Sequence, residues 1–323
     1  MSAIRLKSVG TGAVNNRQQA ITVTGSIPPD RLGVVLPHEH VLVDFIGADR
    51  VNKSRYDPEE VYRVALPYLK SLRQAGCRTL VECTPAYLGR DPQLLQRLSK
   101  ASGLYILTNT GWYGAANDKY LPAKVHSLSA EQIAGEWITE AQKGIEGTGI
   151  RPGFIKIGVD PEPSEVDMRL LEAAAFTHRK TGLTIASHTG PGSAARKQIE
   201  RLEQMGVHPS AFIWVHAQVE GDKSLHVWAA ERGAWVEFDG VSPETVDQHV
   251  EFILHLRQKG LLNRVLVSHD AGWYHVGEPG GGMFREYITL FTHLIPALRK
   301  AGFSDEEIEQ LTTKNPQRAF AVG

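Results

Sequence analysis

Val34-Val35-Leu36-Pro37-His38-Glu39-His40 joins a run of apolar residues to a His-x-His pair, and the same kind of join recurs along the chain. Side chains two apart on a strand point to one side. His38 and His40 therefore aim together from a strand end, as two imidazoles holding one metal must. Alone the pair is weak, because a His-x-His at a strand end is as readily a surface accident as a ligand pair. Its weight comes from repetition elsewhere in the chain of an apolar run ending in a metal-capable side chain.

Strand-like runs fall at residues 33–36, 79–82, 105–109, 154–158, 183–187, 212–215, 234–238 and 265–268. Helical patterns lie between most of them. Asp57-Pro58-Glu59-Glu60 supplies a cap, a first-turn proline and acidic residues, and Gly76 closes that helix. Ser129-x-x-Gln132 reads as a capping box ahead of Ile133, Trp137 and Ile138. Further helices are expected over 166–180, 194–205, 224–232, 243–259 and 284–300, with Ser304-Asp305-Glu306-Glu307 opening a short last one. Eight alternations without a break in composition predict one closed parallel (β/α)8 barrel over residues 21–323. An open doubly wound sheet is the alternative, but no Gly-x-Gly-x-x-Gly follows the first strand.

The length of 323 residues suits such a barrel. Hydrophobic residues make up 42% and charged residues 22%, with a formal net charge of −1, so no basic field calls for nucleic acid or anionic lipid. No apolar run approaches the roughly 18 residues of a membrane helix. Cys77 and Cys83 lack CxxC spacing and read as small buried hydrophobes. Residues 1–20, rich in Gly, Asn and Gln, read as a flexible tail or processed remnant. A cytoplasmic location is expected, with a removed export signal as the alternative.

Chemistry in such a barrel sits at the carboxyl ends of the strands. Those positions carry His38 and His40 on the first, Lys156 on the fourth, His188 on the fifth, His216 on the sixth and Asp270 on the eighth. Each has an ordinary reading: a core histidine satisfied by carbonyls, an aspartate capping a turn. Lys156 interrupts the apolar strand Phe154-Ile155-Lys156-Ile157-Gly158. Burying an unpaired ammonium costs several kcal/mol, so it needs an ion pair, a shifted pKa or a covalent modification. Independent accidents would not all land at strand termini.

With these residues in view, the chain resembles the phosphotriesterase family of the amidohydrolase superfamily, from Ile21-Thr22-Val23-Thr24-Gly25 to Lys314-Asn315-Pro316. Leu36-Pro37-His38-Glu39-His40, the lysine strand, Ser187-His188-Thr189, Trp214-Val215-His216 and Ser268-His269-Asp270 carry the resemblance. It implies a binuclear site in which N6-carboxylated Lys156 bridges two divalent metal ions. His38, His40 and Asp270 would hold the buried metal, and His188 and His216 the more exposed one. Zinc suits imidazole and carboxylate ligands best, with manganese, cobalt or iron as alternatives. Two such metals share a hydroxide at neutral pH; Asp270 then accepts its proton, and His269 steadies a neighbouring group. The implied function is hydrolysis of a lactone or other carboxylic ester. A phosphotriesterase and a non-catalytic metal-containing binding protein are the alternatives, and a homodimer is expected as in similar proteins.

On the substrate side, a tyrosine after the third strand contacts the ring ester in lactone-opening members, and Tyr113 matches it, with packing over the barrel rim as the alternative. The chain departs from the family elsewhere. Asp239-Gly240 stands where many lactonases place an arginine, and Ala217-Gln218-Val219 carries no acidic relay after His216. The eighth loop is short and glycine-rich, with Trp273, Tyr274 and His275 as candidate pocket lining. Arg285 reads as a surface salt-bridge residue, with a contact to an anionic substrate group as the alternative.

Overall fold

The computed structural model describes residues 18–323. A (β/α)8 barrel is built from parallel strands Val35–Glu39, Thr79–Glu82, Tyr105–Leu107 continued by Asn109–Thr110, Phe154–Gly158, Ile185–His188, Phe212–Val215, Trp235–Phe238 and Val265–Val267. Alternation sorts their side chains. Val35, Val81, Phe154, Ala186, Ile213, Trp235 and Leu266 fill the lumen. Ile155, Ile157, Val236 and Phe238 face the helices. Lys156 therefore shares the lumen face with Phe154, and Glu237 shares it with Trp235.

Two irregularities shape the mouth of the barrel. Pro37 has no N–H to give the ladder, and the pairing of strand 1 with strand 2 shifts between Leu36 and Glu39. The seam between strands 8 and 1 is closed by a carboxylate. Glu39 Oε1 accepts from Ser268 Oγ (2.8 Å), His269 N (3.0 Å) and His269 Nδ1 (2.7 Å), and Oε2 accepts from Ala271 N (2.8 Å). Fully buried, Glu39 is tolerated there because both of its oxygens are satisfied.

The helix signals read from the sequence have physical counterparts. Asp57 caps Pro58–Gln74, and Ser129 and Ser164 open Ala130–Lys143 and Glu165–Thr181 with reciprocal capping boxes. Two helix starts need correction. The helix expected over 284–300 begins only at Leu290, as a wide π turn Leu290–Leu294 running into Ile295–Lys300. Its first residues are drawn elsewhere: Phe284 packs on Tyr68 with ring centres 4.6 Å apart, and Tyr287 Oη donates to the His40 carbonyl (2.6 Å). The helix expected from 243 starts at Val246, because Thr245 Oγ1 holds a preceding turn by donating to the Gly240 carbonyl (2.7 Å). A further helix, Pro92–Ser102, was not anticipated, although Asp91 caps it and Gly103 ends it. The tail expected over 1–20 lies outside the described residues except for its end, where Gln19 pairs with Val322 and Ala20–Thr22 forms a hairpin with Gly25–Ile27. No helix among the described residues is long and apolar enough to cross a membrane.

Candidate metal centre

Strand order brings His38, His40, Lys156, His188, His216, Asp270 and Tyr113 to one cavity of about 210 Å³ at the carboxyl end of the barrel. A larger cavity of about 390 Å³ lies beside Trp112, but it contains no histidine. Its carboxylates Asp44, Glu136, Glu140 and Glu146 are paired with Arg55, Lys124, Arg90 and Lys53. The smaller cavity holds the chemistry.

His38, His216 and Asp270 present donor atoms within 4.8 Å of one another. Asp270 Oδ1 lies 3.2 Å from His40 Nε2 and 3.8 Å from His38 Nε2. The His188 ring centre lies 4.4 Å from that of His216. His216 and Asp270 both adopt left-handed backbone, φ 62° and 52°. That conformation costs a non-glycine residue on the order of 1–3 kcal/mol, and such strain gathers at functional sites. Backbone bonds hold it: His216 N donates to Asp239 Oδ2 (3.1 Å) and Asp270 N to the His38 carbonyl (3.1 Å).

Three imidazoles are tied through Nδ1. His40 bonds Thr84 Oγ1 (2.7 Å), which itself donates to Glu82 Oε1 (2.5 Å). His216 bonds Asp239 Oδ1 (2.7 Å), and His38 bonds Glu237 Oε2 (3.3 Å). Each ring keeps its Nε2 for the cavity. Burial holds His40 below the usual imidazole range and His188 well below it, so both are neutral and able to act as ligands. Burial likewise lowers Lys156. His38 is different: burial opposes its charge, but the Asp239 and Glu237 carboxylates beside it raise it to about 10. Burial pushes Glu82 and Glu237 up to about 7.

Asp270 Oδ1 is buried yet aligned for a hydrogen bond to no group among the described residues. An orphaned anionic oxygen among imidazole nitrogens fits a divalent cation, and the nitrogen and oxygen donors suit zinc. His38, raised to about 10 by surrounding carboxylates, marks the same preference for positive charge.

Tyr113 reaches the cavity through two glycines. Gly111 has φ +121°, and a Cβ there would lie 2.0 Å from the Lys156 carbonyl oxygen. A Cβ on Gly158 would lie 2.7 Å from the Tyr113 ring. With both absent, the Tyr113 ring packs 5.0 Å from His188 and 5.9 Å from Lys156 Nζ. Val43, Phe45, Leu88, Tyr120 and Trp273 form the apolar side of the cavity.

Two expectations are corrected here. Of the eighth-loop aromatics only Trp273 lines this cavity; Tyr274 pairs with Leu42, and His275 packs beside Phe45 at 5.7 Å. Arg285 forms no salt bridge among the described residues. It donates to the Asp270 carbonyl and lies over the Trp273 ring at 5.1 Å. Cys83 is a buried core residue, as read from the sequence, and also borders the cavity. The buried carboxylates Glu82 and Glu237 were missed. Their signal was an acidic residue within or ending an apolar strand, the same anomaly that singled out Lys156.

A sequence model of the Phosphotriesterase family matches residues 18–320. A phosphotriesterase homology protein of Escherichia coli is 28% identical, covering 90% of this chain and 99% of its own. An aryldialkylphosphatase of Saccharolobus solfataricus is 27% identical, covering 92% and 97%. The solved structure of a mutant phosphotriesterase-like lactonase from Deinococcus radiodurans superposes with a TM-score of 0.85 at 29% identity, covering 93% of this chain and 99% of that one.

Proposed function

The chain belongs to the phosphotriesterase family, and we propose that it is a metal-dependent hydrolase opening a lactone or cleaving another small carboxylic ester. The observation that carries this reading is the set of three Nδ1-anchored imidazoles and the orphaned Asp270 Oδ1 around one small cavity. His38, His40 and Asp270 would hold one divalent cation, and His188 and His216 a second. Lys156, carrying a carboxylate on its amine, would link the two. When bound, such a pair of cations supplies Lewis acidity and lowers the pKa of water.

The chain's own residues divide the remaining work. Asp270 takes the proton from the water that adds to the carbonyl carbon. The acyl C–O bond then breaks, and that proton passes to the departing alkoxide, giving a hydroxy acid from a lactone. Tyr113 Oη donates to the ester oxygen, and its ring, with Phe45, Tyr120 and Trp273, surrounds the uncharged part of the substrate and limits access of bulk water.

Phosphotriester hydrolysis is the second reading, favoured by the aryldialkylphosphatase similarity. Two features rank it lower: the cavity of about 210 Å³ is small, and Ala217-Gln218-Val219 offers no carboxylate to relay protons. A lactone panel assayed beside paraoxon on metal-loaded protein separates the two. The ester reading expects the larger kcat/KM on a lactone; equal or greater efficiency on paraoxon overturns that ranking.

A further inference from the structure

His38 Nδ1 lies between two carboxylates, and its N–H is aligned as a donor to one of them. Asp239 Oδ2 is the nearer, at 3.1 Å from Nδ1, but the pair lacks hydrogen-bond alignment, and Asp239 serves other donors. Its Oδ1 accepts from His216 Nδ1 and Gln218 Nε2, both at 2.7 Å, and its Oδ2 accepts from the His216 N–H. Glu237 Oε2, at 3.3 Å, has the alignment of an acceptor for the Nδ1–H.

Glu237 is an expensive residue in this place. It projects into the lumen two residues after Trp235, is 1% exposed, and its Oε1 has no hydrogen-bond partner among the described residues. A buried carboxylate so sparsely satisfied destabilises a barrel that an apolar side chain would stabilise. What favours its charged form is the bond to His38 and the charges of His38 and Lys156.

We propose that Glu237 is a positioning residue for His38. By accepting the Nδ1–H it fixes the ring in the tautomer whose Nε2 lone pair faces Asp270, so that the imidazole is already oriented as a ligand for a divalent cation. Acceptors of this kind are worth about 10–100-fold in metal affinity. The inference rests on the metal-dependent reading above.

Glu237→Leu and Glu237→Gln test it, with zinc retention against a competing chelator as the readout. Leucine removes the acceptor and should release zinc about 10–100-fold more readily than wild type. Glutamine keeps an acceptor oxygen and should stay close to wild type. Retention by the leucine variant equal to wild type overturns the proposal, as does a glutamine variant as leaky as the leucine one. A measurement on the zinc-loaded wild type needs no variant. The ¹⁵N shifts of the His38 ring should report a protonated Nδ1, and a protonated Nε2 contradicts the proposal even if Glu237→Leu fails to fold. Wild-type protein that takes up no zinc sinks the metal reading itself, whereas two zincs held equally by wild type and Glu237→Leu sink only the role of Glu237.

Discussion

At Asp270, whose Oδ1 has no hydrogen-bond partner among the described residues, ligand and base functions meet in one group. Asp270→Asn keeps the shape and removes the basic oxygen, so kcat should fall by a factor on the order of 10²–10⁴. Metal content should fall less, because the other ligands remain. Tyr113→Phe removes one hydroxyl from a ring seated against Gly158. A few-fold to roughly 100-fold loss of kcat/KM is expected if that hydroxyl meets the substrate, and unchanged kinetics would reduce Tyr113 to packing. The two thiols supply a pH test. Burial pushes Cys77 up to about 12 and Cys83 well above its ordinary value, so the reactive thiolate appears only as pH rises toward those values. Native protein at pH 8 should leave both thiols unmodified by a disulfide reagent, while unfolded protein titrates two. At this scale the candidate ligands were legible because His38, His40, His188, His216 and Asp270 follow apolar runs and Lys156 interrupts one. Their anchors were not: Thr84 and Asp239 are ordinary in sequence, and only the closed barrel sets them against His40 and His216.

Among the elements, the helix ends were the most legible, because capping is local. Ser129→Ala removes one side of a complete capping box and should cost about 1 kcal/mol by chemical unfolding. What joins distant elements was hidden. Glu39 lies inside the quoted His-Glu-His, yet its work is to close strand 1 on strand 8 with four hydrogen bonds from residues more than 200 positions away. Glu39→Ala strands those buried donors and should cost roughly 3–5 kcal/mol, several times the loss of a cap. Equal destabilisation by Glu39→Ala and Ser129→Ala, in parallel denaturant titrations, would rule out the carboxylate as the seam. The late start of Leu290–Leu294 escaped the periodicity for a similar reason. Its first N–H is bonded by His269 Nε2 (2.8 Å), and the residues before it are held by Tyr68 and the His40 carbonyl.

Over the whole molecule, the barrel gathers the candidate ligands from five strands and turns residues far apart in sequence into one cavity. Alternation put Lys156 and Glu237 on the lumen face, and parallel pairing put His188 beside His216. The overall architecture was therefore readable from the order of apolar runs, while the size and apolar lining of the cavity required the loops in place. Lys156, buried and with its pKa lowered, is where the proposed site is most exposed to test. The direct measurement is the number of metal ions per chain in protein purified without chelator, compared with Lys156→Ala prepared in parallel. Two divalent ions in the wild type and well under one in the variant are predicted. A wild type carrying well under one ion, or a variant that retains both, would contradict the account.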